Sequence, residues 1–172
     1  MSITVQQICD VLPQTQCREC GYDGCRPYAT ALAAGLESDI TKCLPGAQPI
    51  ANAIAALLNK PQQIVIKQPS HVTALLNVDR CIGCNLCVKV CPVDAIIGEL
   101  NFEHQVIESD CTGCGLCVPV CPTSCLSLTD RQEDLPSQQS NYAGMARKQA
   151  RELALREKRV QEYQQTICEK KS

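Results

Sequence analysis

The sequence has no tryptophan, one phenylalanine (Phe102) and four tyrosines in 172 residues. A chain so poor in large apolar side chains cannot rest on burial alone, so something else must staple it. No run approaches the roughly eighteen apolar residues of a membrane span. The opening "MSITVQQICDVLPQ" lacks the basic start and apolar stretch of a secretory leader. These absences predict a soluble, cytoplasmic protein whose thiols stay reduced, which favours metal over disulfide chemistry. No G-x-G-x-x-G or P-loop run is present, so nucleotide and flavin binding are unsupported. No nucleophile–base pairing is visible, and no small-molecule substrate site is expected.

Cysteine is abundant: fifteen residues, an odd number, gathered in bunches. An odd, bunched set makes a pure disulfide framework awkward. Two bunches form a repeat. "CIGCNLCVKVCPVDAI" (81–96) and "CTGCGLCVPVCPTSCL" (111–126) superpose at an offset of 30 residues, with nine of the twelve positions from Cys81 to Pro92 identical. The strand-like runs "VTALLNVD" and "FEHQVIES" precede the copies, so each unit reads as strand, cysteine loop and helix start. Such duplication means one small unit packed on itself.

Each copy reads C-x2-C-x2-C-x3-C-P, the spacing of a bacterial ferredoxin loop, in which the fourth cysteine serves the other cluster. The spacing thus groups Cys81, Cys84, Cys87 and Cys121 at one [4Fe–4S] cluster and Cys111, Cys114, Cys117 and Cys91 at a second. Gly83 and Gly113 suit close approach of backbone to inorganic sulfur. Leu86, Val88, Leu116 and Val118 are expected to exclude water. The bland alternative is zinc, which usually takes two cysteine pairs separated by a long spacer.

A third bunch, "CRECGYDGC", places Cys17, Cys20 and Cys25 within nine residues, and Cys43 follows 18 residues after Cys25. Four thiols, with Gly21 and Gly24 in the loop, can close a third site. Zinc and an iron–sulfur cluster both suit this uneven spacing.

"LPQTQCRECGYDGCRPYATALAAG" with the later "KCLPG", followed by two ferredoxin repeats, resembles the B-type component of Rnf-type (Rsx) electron transport complexes over residues 8–130. The resemblance implies a third [4Fe–4S] cluster on Cys17, Cys20, Cys25 and Cys43. It also implies redox partner proteins among membrane-embedded Rnf-type subunits, in a redox-driven ion pump. Members of that family commonly carry an N-terminal membrane anchor. This chain starts at Met1 without one, so a short form peripheral to the inner face of the cytoplasmic membrane is expected. By itself the chain is an electron carrier, an enzyme only as a component of a translocase.

The predicted fold class is α+β. A small helical domain (1–60) with helices over 2–12, 26–35 and 49–60 precedes a linker (61–71) and a two-cluster ferredoxin-like domain (72–130). A polar loop and basic helical tail (131–172) complete the chain. Ser2 is the expected cap of the first helix. Cys9 reads as a small buried hydrophobe, Cys125 takes the place of Ala95 in the first repeat, and Cys168 lies in the charged tail; none is expected to ligate. His71 and His104 read as surface or turn residues. Tyr22 and Tyr28 are expected to pack around the N-terminal site.

The formal net charge of −2 hides an asymmetry: residues 147–172 carry eight basic and four acidic residues, and residues 1–146 carry eight and fourteen. The tail repeats Ala146, Leu153, Val160 and Ile167 every seven residues along a thin apolar seam. It is expected to be a solvated helix, or an element docking on an acidic partner or membrane. On either view it leaves the fold unaffected. The alternatives to an Rnf-type component are a freestanding polyferredoxin and a structural or nucleic-acid-binding iron–sulfur protein. The acidic body disfavours nucleic acid.

Overall fold

The computed structural model describes residues 3–65, 72–131 and 134–170, with side chains up to residue 165. Ser2, His71, residues 66–71 of the expected linker and the Cys168 side chain lie outside the described residues.

Three short helices build the first core. Helix α1 (Val5–Val11) starts two residues later than its expected cap Ser2 would place it, because its cap is Thr4. The Thr4 hydroxyl accepts from the Gln7 peptide, and Gln7 reaches back to the Thr4 peptide at 2.9 Å, a reciprocal capping box. Helix α2 (Cys25–Ala33) follows Gly24 and ends before Gly35, whose φ of 69° closes it. Helix α3 (Ala47–Leu58) stops at left-handed Asn59. Their apolar faces bury Ile8, Leu12, Tyr28, Leu32, Ile40 and Ile54, together with Cys9, Cys25 and Cys43. Residues 61–65 are tied to this core. Gln48 donates to the Gln63 carbonyl at 2.8 Å and accepts from the Val65 peptide at 2.9 Å.

The second core is made differently. Strand β1 (Val72–Leu76) pairs antiparallel with β4 (Leu126–Asp130), so the beginning and end of the duplicated region are hydrogen-bonded, Leu76 facing Leu126. The two-residue strands β2 (Ile96–Ile97) and β3 (Gln105–Val106) pair the same way, with Ile96 opposite Val106. A one-turn helix α4 (Leu86–Val90) lies in the first loop. The runs after each Cys-Pro are not helix starts, as the sequence suggested. Asp94 and Ser124 adopt left-handed φ values of 58° and 50°, and the chain then turns into β2 or β4. Five of the ten residues buried in this core are cysteines.

The tail is not set apart from the body. Helix α5 (Gln138–Lys170) lays its first four turns across both cores. Asn141 and Gly144 are buried and Met145, Lys148 and Arg151 half-buried; Ala146 and Leu153 of the seam read from the sequence are exposed. The docked face is polar or small because it binds backbone. Gln138 donates to the Asp10 carbonyl at 2.8 Å, Asn141 to that of Pro13 at 2.9 Å, and Lys148 to those of Lys89 and Cys91, each at 2.7 Å. Arg147 and Arg151 pair with Asp110 and Asp94. A Cβ on Gly144 would stand 2.1 Å from the Val93 carbonyl. From Glu152 to Gln165 the helix is exposed.

Candidate metal centres

The structure gathers the twelve predicted cysteines into three groups. Cys91 lines one space with Cys111, Cys114 and Cys117. Cys121 lines another with Cys81, Cys84 and Cys87. The fourth cysteine of each repeat therefore crosses to the loop of the other, because each Cys-Pro turn leads away from its own loop into a strand.

At the N-terminal group, Cys43 is charge-coupled to Cys25, Cys17 and Cys20. The loop that presents them is held in an unusual backbone path: Gln14, Gln16 and Arg18 have φ of 57°, 54° and 64°. Non-glycine residues take this region at a cost, and here side chains support it. Gln14 donates to the Cys9 carbonyl at 2.7 Å, Gln16 donates to Gln14, and the Cys25 peptide donates to Gln16 at 3.0 Å. Sequence reading missed both glutamines because nothing in their type marks a left-handed residue. Tyr28 is buried with its hydroxyl on the Asp39 carbonyl at 2.9 Å, and Tyr22 packs on it at 5.4 Å between ring centroids.

As bare thiols the buried members of these groups resist ionisation, whereas at Cys121 burial is outweighed by hydrogen bonds from Thr123 and Cys125, which bring it down to about 7. Burial, then the neighbouring thiols, pushes Cys43 up to about 12; burial chiefly also pushes Cys25 up to about 11, Cys87 to about 11 and Cys117 to about 12. Four thiolates packed together and out of water need a compensating positive charge. A multi-iron core supplies it, so the donor set fits a cluster.

Other residues stand in the first space that sequence reading placed elsewhere or set aside. His104, expected at the surface, is 2 % exposed. Its Nδ1 lies 3.5 Å from Cys81 Sγ and its Nε2 2.5 Å from Asn85 Oδ1. Burial holds its pKa below the usual imidazole range. Cys125 Sγ lies 3.3 Å from Cys121 Sγ, and the Cys125 peptide donates to the same sulfur at 3.3 Å. The comparison of the repeats that set Cys125 against Ala95 also sets His104 against Ala74, and that second pairing is the signal that could have marked His104. Gly83 and Gly113 are required by the protein's own backbone. A Cβ would meet the Phe102 peptide nitrogen at 2.5 Å and the Val72 carbonyl oxygen at 2.1 Å. Val88 and Val118 pack on the second core, whereas Leu86 is exposed.

Residues 74–128 match a family described as "4Fe-4S dicluster domain", and residues 12–45 one described as "Putative Fe-S cluster". Three curated relatives are each named as the B component of the ion-translocating oxidoreductase complex. The Cronobacter sakazakii protein is 48% identical over 129 residues, covering 72% of this chain and 67% of the relative. That of Haemophilus ducreyi is 48% identical over 105 residues, covering 60% and 50%. That of Buchnera aphidicola is 46% identical over 129 residues, covering 72% and 77%. The chain belongs to the family of B components of ion-translocating oxidoreductase complexes, the Rnf/Rsx type. It spans between half and about three quarters of the length of these relatives. Electron transfer through [4Fe–4S] clusters is the function that this membership and the two iron–sulfur regions support, and a freestanding polyferredoxin is not favoured. Among the described residues, no helix is long and apolar enough to cross a membrane.

Proposed function

We propose that the chain carries three [4Fe–4S] clusters and passes single electrons among them as the B-type component of an ion-translocating redox complex. Cys17, Cys20, Cys25 and Cys43 hold the N-terminal cluster. Cys81, Cys84, Cys87 and Cys121 hold the first ferredoxin cluster, and Cys111, Cys114, Cys117 and Cys91 the second. Residues 1–60 form a helical cluster domain and 72–130 a ferredoxin-like domain. The 61–71 segment joins them, and 131–172 straps the two together through the start of α5. Partners are the other proteins of the complex, with this chain peripheral on the inner face of the cytoplasmic membrane.

The observation that carries the relay is a small space lined by both Cys17 and Cys114, beside which Thr112 donates to the Thr15 carbonyl at 3.4 Å. It sets the N-terminal group against the second ferredoxin group, and Cys91 and Cys121 interlock the second with the first. The clusters supply one-electron exchange; the protein fixes their order, keeps water out and donates hydrogen bonds to sulfur. The test is anaerobic purification with iron and sulfide counts and EPR of the reduced protein. Twelve irons per chain, about four for each set of four cysteines, are expected. Eight irons with one zinc would overturn the N-terminal assignment.

A further inference from the structure

The two ferredoxin spaces are lined by matching positions 30 residues apart, and the matches are chemically unequal. Ala74, Val93 and Ala95 line the space of the second group. Their counterparts His104, Thr123 and Cys125 line the space of the first. At three duplicated positions, then, one copy presents apolar surface and the other a side chain able to donate a proton. The donors are in reach of ligand sulfur. His104 Nδ1 is 3.5 Å from Cys81 Sγ, Thr123 Oγ1 3.6 Å from Cys121 Sγ, and Cys125 Sγ 3.3 Å from Cys121 Sγ. Two main-chain donors match between the copies, the Ala95 peptide on Cys91 and the Cys125 peptide on Cys121, both at 3.3 Å, and the second group has one more, the Ala74 peptide on Cys111 Sγ at 3.5 Å.

We propose that His104, Thr123 and Cys125 set the reduction potential of the Cys81/Cys84/Cys87/Cys121 cluster above that of its Cys111/Cys114/Cys117/Cys91 twin. The inference rests on the ligand sets proposed above. A cluster gains one negative charge on reduction, and a hydrogen bond to its sulfur stabilises the more negative state. The greater number of side-chain donors on one cluster, three against the single Thr112 on the other, therefore favours the electron there. A ligand sulfur bound to iron carries no proton, so His104 must donate from Nδ1. Neutral imidazole has one N–H, which leaves Nε2 an acceptor. As placed, the Asn85 amide oxygen faces Nε2 at 2.5 Å, so donation from Nδ1 requires that amide turned by half a turn to present its N–H.

Four features of the second group pull the other way: the Ala74 peptide on Cys111 Sγ, the Arg131 guanidinium on the Cys111 carbonyl, Lys148 and Thr112. Lys148 reaches the Cys91 carbonyl rather than its sulfur, and divides its ammonium between that carbonyl and Lys89. Thr112, in the place of Ile82, divides its hydroxyl between the Thr15 carbonyl at 3.4 Å and Cys114.

The test is potentiometric EPR on the anaerobically purified full chain, with iron content measured on every variant. His104→Leu, Thr123→Val and Cys125→Ala should each lower the same midpoint and leave the others in place. Together they should shift that reduction equilibrium about tenfold, about 59 mV for a one-electron couple. Cys125→Ser keeps a donor and should hold the midpoint. The reciprocal Val93→Thr with Ala95→Cys should raise the other ferredoxin midpoint. If the triple variant loses iron, the single variants decide. Unmoved midpoints at full iron content, or a shift of both midpoints together, would overturn the inference. Loss of four irons and of one whole EPR signal on replacing a cysteine speaks instead to the ligand sets.

Discussion

Asn141 donates through Nδ2 to the Pro13 carbonyl at 2.9 Å and keeps 1 % of its surface exposed. Pro13 ends the first helix and leads into the N-terminal cysteine loop, and Asn141 lies in the first turn of α5. One buried amide thus links the end of the chain to its beginning.

Removing that link should be costly. Asn141→Ala strands a buried carbonyl and should lower unfolding free energy by about 1–3 kcal/mol. Deletion from Gln138 onward should lower the thermal midpoint further, whereas deletion from Ala154 onward should leave it nearly unchanged. Scanning calorimetry of the three proteins checks this. Equal midpoints would return the whole helix to solvent.

Crossed ligation predicts which variants resemble each other. Cys91→Ala should abolish the EPR signal lost in Cys114→Ala, and Cys121→Ala the one lost in Cys84→Ala. Pairing of Cys91→Ala with Cys84→Ala would mean that each loop closes its own cluster.

Two glycines separate conformational cost from steric cost. Gly21 has φ 83° with nothing within 4 Å of an added Cβ, so Gly21→Ala should cost only about 1 kcal/mol. Gly113 has φ 69° with the Val72 carbonyl oxygen 2.1 Å from the added Cβ. Gly113→Ala must move β1, and should cost several-fold more and lower iron content. Denaturant midpoints and iron assays on both variants would show it; comparable costs would contradict the close approach.

Iron removal should not affect the two cores equally. Cysteines make up five of the ten buried residues in the second core and three of the eleven in the first, where Ile8, Leu12, Tyr28, Leu32, Ile40 and Ile54 remain apolar. A core in which cluster ligands are four of ten buried residues, against two of eleven in the first, loses more of its reason to stay packed when the metal leaves. After chelation under reducing conditions, amide exchange should accelerate through 72–130 well before it does in α1, α2 and α3. Uniform exchange would contradict this.

The cysteine spacing grouped twelve thiols into three sets and set Cys91 and Cys121 each with the other loop, because ligand spacing in a tight loop is a local geometric constraint. The short helices were readable for the same reason: capping, glycine and proline act within one turn. The run after each Cys-Pro misled, since Asp94 and Ser124 are ordinary helix-start residues by type. Only pairing of Ile96 with Val106 and Leu126 with Leu76 makes those segments strands. The docking of α5 was invisible to hydrophobic periodicity because Asn141, Gly144 and Lys148 bind carbonyls instead of burying apolar area. His104 and Cys125 looked incidental in the chain. Their proximity to Cys81 and Cys121 is a long-range or turn-dependent contact, and only the folded backbone decides which side chain faces which sulfur.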